Sequence, residues 1–165
     1  MATPAPLTPG AEVRRGNAGF ATSLALLVLR GALAWMFIFH GAQKLFGAFD
    51  GPGLSGFAQY LRTMPVLPPY AWAVMAALGE FGGGVLMGLG LLTRLAALDL
   101  IVVMCVAIAT MTGANGFSLP GGYEINMLVI AVCIALLLAG AGPLSADALL
   151  FRRSLWARGP QPMAP

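Results

Sequence analysis

Long apolar stretches alternate with short polar or glycine-rich ones along most of this chain. Four of the apolar stretches reach the length of about 20 residues that a helix needs to cross the hydrocarbon core of a bilayer. They lie near residues 20–46, 70–91, 95–113 and 122–142. The second and third belong to one apolar run that is too long for a single span, and we place a turn near residues 88–94. This pattern predicts an all-α integral membrane protein with a bundle of four transmembrane helices.

The connection between the first two predicted spans has a helical pattern of its own. It runs from residue 47 to residue 69, is rich in glycine and proline, and contains the segment GLSGFAQYLRTM. In that segment Leu54, Phe57, Ala58 and Leu61 repeat at helical spacing. A helix with one apolar face can lie flat on a membrane surface. We therefore expect an extra interfacial helix in this first outer loop.

The two ends of the chain differ in composition from its apolar centre. They are rich in proline and alanine or in basic residues, a composition that buries too little apolar surface to fold by itself. We expect a disordered cytoplasmic N-terminal tail over residues 1–18 and a four-helix membrane domain over residues 19–151. A basic, proline-rich cytoplasmic tail follows over residues 152–165.

Composition leads to the same class of protein. Hydrophobic residues make up 59% of the 165 residues and charged residues only 9%, and the mean hydropathy is +0.85. Soluble domains carry about 25% charged residues, so the lipid bilayer is the first partner that we expect. The net charge of +3 lies largely in the flanks, and we expect no nucleic-acid partner.

Arginines are distributed asymmetrically about the predicted spans. Arg14, Arg15, Arg94, Arg152 and Arg153 all fall on one side when the chain is threaded four times through a membrane. Cytoplasmic loops and flanks carry an excess of Lys and Arg. We therefore expect both termini in the cytoplasm.

The two cysteines, Cys105 and Cys133, lie inside apolar runs. They form no CxxC motif and no cluster with histidine, so we expect neither a metal site nor a redox disulfide. Such cysteines ordinarily serve as small buried hydrophobic side chains.

Ionisable side chains inside the predicted spans are the candidates for function. They are Arg30, His40, Lys44, Glu80, Asp99 and Glu124. A charge at membrane depth costs about 2.5–3.5 kcal/mol, so each needs a partner or a purpose. His40, Gln43 and Lys44 occupy positions i, i+3 and i+4 and therefore project from one face of the first predicted span.

The depth of each side chain, counted from the outer end of its helix, indicates which of them meet. Lys44 and Glu124 both fall about 3 Å deep, and we expect them to pair. His40, about 9 Å deep, and Gln43 are expected to turn toward Glu80, about 15 Å deep. These five residues form a predicted ligand-binding pocket at the outer face. A histidine among carboxyl groups makes such a pocket responsive to protons.

Three further residues complete this picture. Arg30, deeper in the bundle, is expected to form a structural ion pair with Asp99 or to reach Glu80. Tyr123 precedes Glu124 where the fourth predicted span enters the membrane, and an interfacial anchor is its ordinary role. We also expect Tyr123 to cap the pocket.

The pocket residues have ordinary explanations as well. Lys44 can extend its amine to the membrane surface from the end of a helix, and Glu124 can compensate the positive N-terminal end of another. His40, taken alone, is typical of a satisfied interior histidine. Glu80 is deep, lies among glycines and has no helix terminus to explain it, which favours a functional or obligatory pairing role.

Several segments together carry a family resemblance. They are LRGALAWMFIFHGAQKLFG, GPGLSGFAQYL, ALGEFGGGVLMGLGLLTRLAAL, GGYEINMLVIA and GPLSADALL. In this order and spacing they resemble the DoxX family of bacterial membrane proteins, which is related to the DoxD subunit of thiosulfate:quinone oxidoreductase. The resemblance spans about residues 24–150. It implies a four-helix protein of the bacterial inner membrane, with the family's recurring His, Lys and helix-two Glu matched by His40, Lys44 and Glu80, and its GGYE by residues 121–124.

The resemblance implies a link to quinone chemistry. We expect a membrane subunit of a redox complex that binds a quinone-like or small polar ligand in the outer-face pocket. His40 and Lys44 are candidates to polarise carbonyl oxygens, and Glu80 or Glu124 to relay protons. No haem-ligand pair or flavin motif is present in the sequence, so we expect no covalently bound cofactor: any redox cofactor is a diffusible quinone or belongs to a partner, and electrons come from a partner subunit.

Two other functions stay open. The first is a non-catalytic scaffold or assembly factor, in which the buried charges only fix the register of the helices. The second is a transporter of protons or small solutes, which four short, unbroken helices make less favourable. The sequence also leaves open whether the chain is itself catalytic and whether it forms a homo-oligomer.

Overall fold

The computed structural model describes residues 9–118 and 120–150 of the 165. Within these residues the chain is all-helical and contains no β-strand, which confirms the predicted class. The helices are α1 (Pro9–Phe46), α2 (Gly53–Leu61), α3 (Pro69–Leu89), α4 (Thr93–Ala107) and α5 (Glu124–Ala139). Helical structure begins again at residue 146 and continues to residue 150, the last that is described.

Three segments are long and apolar enough to cross a membrane. They are Gly19–Phe46, Pro69–Leu89 and Thr93–Asn115. The third consists of α4, a π-helical turn over Ile108–Thr112 and a 3-10 turn over Gly113–Asn115. α5 corresponds to the fourth predicted span and is also apolar, but it has only 16 residues.

The ends of the chain relate to the predicted tails as follows. α1 begins at Pro9, inside the segment that was expected to be a disordered tail over residues 1–18. Residues 1–8 and the predicted basic tail, 152–165, lie outside the described residues. The membrane domain expected over residues 19–151 is described as far as residue 150, apart from residue 119.

The long apolar run breaks where the sequence places a turn. Pro69 occupies the first turn of α3, where its missing N–H group leaves no bond unmade. The helix ends at Gly90, whose φ of 64° is readily adopted only by a residue without a Cβ. Leu92 is also left-handed, with φ of 49°, and α4 begins at the next residue. Gly90 and Leu92 thus divide the run into two antiparallel helices.

The helices pack in the order α1, α3, α4, α5, with α2 set against α3 and α1. The shared core contains Leu33 and Phe37 from α1, Met87 from α3, Leu100 from α4 and Leu136 from α5. We call the end of the bundle at which α1 ends and α5 begins the Lys44 end. The opposite end, where α3 turns into α4, is called the Arg30 end.

α2 covers part of the Lys44 end. Its apolar residues Phe57, Ala58 and Leu61 are buried and pack with Ala73 of α3. These are three of the four positions whose spacing predicted a helix in this connection. A helix is therefore present in this connection, and its apolar face is occupied by the rest of the bundle. Its position at a membrane interface stays a prediction.

Candidate functional site

An ion pair between Lys44 and Glu80 joins the last turn of α1 to the middle of α3. The side chain of Glu80 is 9% exposed and that of Lys44 21% exposed. The pair forms because α1 and α3 approach closely one turn before Lys44: a Cβ placed on Gly41 would lie only 2.7 Å from the Cα of Phe81. Phe81 follows Glu80 directly, so this close backbone contact brings the carboxyl group within reach of the lysine.

α2 closes over the same pair. The Lys44 amine lies 5.3 Å from the centre of the Phe57 ring, a distance at which a cation is attracted to an aromatic face. Phe57 itself is 6% exposed. The short helix in the first connection thus provides an aromatic wall for the ion pair.

A cavity of about 60 Å³ adjoins the ion pair. Lys44 and Glu80 line it together with mainly apolar side chains. These include Phe57, Leu61, Trp72, Ala76, Val103 and Val106. The π-helical turn after α4 contributes Thr110 and Met111. Turns of this kind occur frequently at functional sites.

A second cavity, of about 120 Å³, lies next to the first along α3 and α4. The two cavities share Trp72, Ala76, Val103 and Val106 as lining residues. We call the combined feature the α3–α4 groove. Asp99 lines the second cavity, so the groove carries ionisable groups in both of its parts.

Asp99 sits against two glycines of α3. A Cβ on Gly83 would lie 2.8 Å from Asp99 Oδ2, and one on Gly79 would lie 3.3 Å from Asp99 Oδ1. The absence of side chains at these positions therefore makes room for the carboxyl group. Small residues four apart on a membrane helix ordinarily let a neighbouring helix approach closely, and here the space is used by Asp99.

Arg30 lies elsewhere and does not form the expected ion pair with Asp99 or Glu80. It is 1% exposed, and its guanidinium group donates to the carbonyl oxygens of Ala141 at 2.6 Å and Leu144 at 2.7 Å. The predicted structural role is therefore carried by backbone carbonyl groups that follow α5. The expected ion pair is absent for a geometric reason. The Arg30 guanidinium group binds the segment that follows α5, whereas the Asp99 carboxyl group lies against glycines of α3.

His40 and Gln43 lie outside the residues that line the groove. His40 is exposed, and its Nδ1 lies 3.2 Å from Gln43 Oε1. Gln43 Nε2 donates to the carbonyl oxygen of Phe49 at 3.4 Å. The expected contact of these two side chains with Glu80 is not seen. They contact each other and the backbone at Phe49, and the carboxyl group of Glu80 is bound by Lys44.

Tyr123 and Glu124 mark the start of α5, also outside the residues that line the groove. The Tyr123 ring packs edge-on against Phe117, with 5.5 Å between the ring centres. The Glu124 N–H group donates to the carbonyl oxygen of Phe117 at 3.0 Å. Lys44, the expected partner of Glu124, forms its ion pair with Glu80.

A polar contact between α4 and α5 was missed by sequence reasoning. Thr112, in the π-helical turn, lies with its hydroxyl oxygen 3.4 Å from Oδ1 of Asn126. Asn126 Nδ2 lies 3.4 Å from the sulfur of Met104, and Asn126 is only 9% exposed. A signal for it exists in the sequence, because Asn126 is the one polar residue of α5 after Glu124 at its start.

The charged side chains at the groove provide hydrogen-bond donors and acceptors. Among residues 9–118 and 120–150, no group of three or more His, Cys, Asp or Glu side chains is placed to hold a metal ion. An ammonium group offers three donors and a carboxylate offers acceptors. Together, Lys44 and Glu80 can bind the carbonyl or hydroxyl oxygen of a ligand whose apolar part lies in the groove.

Comparisons with known proteins place the chain in a family. Residues 25–113 match the DoxX family. A protein of Haemophilus influenzae, described as uncharacterized, is 28% identical over 137 residues, which cover 80% of this chain and 87% of the relative. No solved structure matches the chain. The family match covers more than half of the chain, so this membrane protein belongs to the DoxX family.

Proposed function

We propose that the protein crosses the bacterial inner membrane four times, with both termini in the cytoplasm. α5 is the fourth span in this proposal. Its 16 residues rise about 24 Å, less than the hydrocarbon core of about 30 Å, so its ends lie close to the head groups. α2 lies at the outer end of the bundle in this proposal, with its apolar face packed against α3. The positions of Arg94 and of the basic flanks support this orientation.

Within this topology, the α3–α4 groove binds the head group of a quinone or quinone-like amphiphile. The observation that carries the proposal is a buried ion pair beside an apolar groove that faces outward between two spans. Met75 and Val102, which line the groove, are 62% and 54% exposed and therefore border the lipid. A molecule dissolved in the bilayer can enter from this side and meet Lys44 and Glu80. Binding sites of this kind are mainly apolar with a few polar groups.

The size of the groove sets a condition on binding. Its cavities of about 60 and 120 Å³ are smaller than the range of about 300–1,000 Å³ that is typical of ligand sites. We therefore propose that α2 moves outward when the head group enters. α2 has only 9 residues and is held mainly by the packing of Phe57, Ala58 and Leu61. Such an element is among the easier parts of a fold to displace.

The charged residues then have distinct roles. Lys44 donates to a ring oxygen and stabilises the negative charge that develops there during reduction. Glu80 and Asp99 exchange protons with the ring oxygens. His40, exposed beside Gln43 near the Lys44 end, exchanges protons with the outer surface. A quinone takes up two electrons and two protons to become a quinol, and the electrons come from a redox subunit associated with this chain.

The test measures quinone binding by fluorescence. Trp72 lines both cavities, so quenching of its emission by a short-chain benzoquinone reports occupancy once Trp35 and Trp156 are replaced by Phe. In this background we expect saturable quenching. The double variant Lys44→Met/Glu80→Gln should weaken binding at least about tenfold, as expected for the loss of hydrogen bonds to charged groups.

The matched control is Asp50→Asn/Arg62→Gln. It also removes one acid and one base, but both lie exposed in the first connection and neither lines the groove. Its affinity for the benzoquinone should equal that of the parent, the protein in which only Trp35 and Trp156 are replaced. Quenching that does not saturate in the parent, or that is equal in both double variants, refutes the proposed site.

A scaffold function is the second candidate, and the small volume next to the ion pair favours it. In that case the pair serves only to hold α1 against α3. Glu80 variants then lower the amount of folded protein in membranes, and no variant changes quenching per folded molecule. The same measurements therefore separate the two functions.

A further inference from the structure

A separate cavity of about 330 Å³ lies at the Arg30 end, far from the ion pair. It is formed where the start of α4 meets the segment that follows α5. Its lining includes Leu92, Thr93, Arg94, Leu95, Ala141 and Asp147. None of these residues takes part in the proposed quinone site, so the cavity needs an explanation of its own.

The hydrogen-bond acceptors around this cavity are already engaged. Asp147 Oδ1 accepts from the N–H group of Leu92 at 2.7 Å, and Asp147 Oδ2 accepts from that of Thr93 at 3.0 Å. The carbonyl oxygen of Ala141 accepts from Arg30 at 2.6 Å. Asp147 also interacts electrostatically with Arg30, which offsets its negative charge. The carboxylate that lines the cavity is therefore occupied by the protein itself.

The donors are in excess. The Thr93 hydroxyl group is buried, Thr93 being 0% exposed, and has no hydrogen-bond partner within the described part of the chain. Arg94 is exposed, and the bond found for it there runs from Nη2 to the carbonyl oxygen of Leu138 at 3.5 Å. A guanidinium group carries five N–H donors. Arg94 thus has donors to spare, and it lines the same cavity as Thr93, whose hydroxyl group is unpartnered among the described residues.

Charge favours the same kind of ligand. Arg30 and Arg94 carry two positive charges against the single negative charge of Asp147. The N-terminal end of α4 borders the cavity with a partial positive charge and the C-terminal end of α5, at Gly140, borders it with a partial negative one, so the arginines set the net sign. A group with several acceptor oxygens and a negative charge satisfies both imbalances. Phosphate is such a group.

We propose that this cavity binds a phosphate group, supplied by the head group of an anionic phospholipid, with Arg94 and Thr93 as its ligands. The position of the cavity favours the lipid as the source. It lies at the turn between two membrane-crossing segments, at the level where head groups are found. Leu92 and Leu95 beside it are 43% and 61% exposed and can pack against acyl chains.

The test uses the full-length chain in nanodiscs that contain phosphatidylcholine alone or a mixture with phosphatidylglycerol. Native mass spectrometry then counts the lipids that stay bound after the protein is released from the nanodiscs. We expect phosphatidylglycerol to be retained by the wild-type protein and retained about tenfold less by Arg94→Gln, since a charged hydrogen-bond donor is lost. Arg62→Gln removes an exposed arginine from the first connection and should behave as the wild type.

Thr93→Val keeps the test informative if the arginine variant folds poorly. Valine has nearly the same shape, and the hydroxyl group that it removes has no partner among the described residues. Thr93→Val should therefore fold as the wild type in phosphatidylcholine and retain less phosphatidylglycerol.

A parallel arm adds inorganic phosphate to phosphatidylcholine nanodiscs and measures the unfolding temperature. A rise that disappears in Arg94→Gln supports the phosphate site and assigns a soluble phosphate as its source. Retention of phosphatidylglycerol that depends on Arg94 supports it with the lipid as the source. If neither effect occurs, or if both persist in Arg94→Gln and Thr93→Val, the inference is overturned.

Discussion

Lys44 and Glu80 depend on each other at the level of single residues. Glu80 is buried in the middle of a membrane-crossing helix, and Lys44 contacts it from α1. A buried charge that loses its partner is strongly destabilising, whereas replacing both partners by neutral groups of similar size is often tolerated. A single substitution should therefore lower the stability of the Lys44 end more than the double substitution does.

We predict that Lys44→Met lowers the free energy of unfolding by about 3 kcal/mol, because Glu80 is left unpaired. The double variant Lys44→Met/Glu80→Gln should recover most of this loss. Reversible unfolding in detergent micelles measures both values. Arg62→Met is the control for loss of a positive charge at an exposed site. Equal losses in the single and double variants would show that the two side chains are energetically independent.

Between whole helices, glycines determine where two helices approach closely. Gly79 and Gly83 of α3 face Asp99 of α4, whereas Gly84 faces the backbone of Ile38 in α1. One helix thus uses two sets of small residues for two different neighbours. Small residues at helix interfaces let backbones approach closely in membranes. Gly41 makes the corresponding contact from the α1 side, against Phe81.

Gly41→Ala should therefore destabilise the protein by about 2 kcal/mol, as overpacking typically does. The new methyl group would meet backbone atoms of Phe81, which cannot rotate away. Gly82→Ala is a matched control on α3, because a Cβ there has no atom within 4 Å. The control should be neutral or slightly stabilising, since alanine favours a helix by up to about 1 kcal/mol. Thermal unfolding of both variants tests the contrast, and similar behaviour of the two would argue against a close α1–α3 contact.

In the molecule as a whole, the segment after α5 connects several helices of the bundle. Arg30 of α1 donates to the carbonyl oxygens of Ala141 and Leu144, and Asp147 binds the first N–H groups of α4. The Asp147 N–H group also donates to the carbonyl oxygen of Gly90 at 2.9 Å, at the end of α3. One short segment therefore contacts three helices. The cap on α4 therefore comes from a segment that is distant in sequence, and it joins the start of α4 to the residues that follow α5.

Removal of this cap by Asp147→Ala should lower the free energy of unfolding by about 1–2 kcal/mol, the usual range for the loss of a helix cap. The loss of the charge beside Arg30 acts in the same direction. Asp50→Asn, at an exposed position in the first connection whose φ of 57° asparagine also adopts, should have almost no effect. Chemical denaturation compares the two, and equal stability of both variants would contradict a capping role.

The number of spans can be tested on the whole molecule. We expect a green fluorescent protein fused after residue 165 to fluoresce, because that end is cytoplasmic in the proposed topology. Alkaline phosphatase inserted after residue 51 should be active, because that loop is proposed to face the periplasm, and inactive after residue 92. A dark C-terminal fusion together with an active insertion after residue 51 would indicate three spans instead of four.

The sequence by itself determined the all-helical class, the break between α3 and α4, and the presence of α2. These follow from local rules: in lipid the backbone must satisfy its own hydrogen bonds, and a glycine such as Gly90 readily adopts the left-handed conformation that ends a helix. The sequence also indicated that Lys44 and Glu80 matter, because charges in spans need partners. Its apolar periodicity could not do more, since it contains no information on which helices are neighbours.

Only the tertiary structure decided which side chains meet. Depth along each helix predicted Lys44 with Glu124, although Lys44 contacts Glu80, whose counted depth differs by about 12 Å. Depth gives one coordinate, whereas the rotation of each helix, its neighbours and the length of a lysine side chain supply the others. The same reason explains Arg30, whose carbonyl partners lie more than a hundred residues away in sequence. A contact of that kind exists only once the helices have packed.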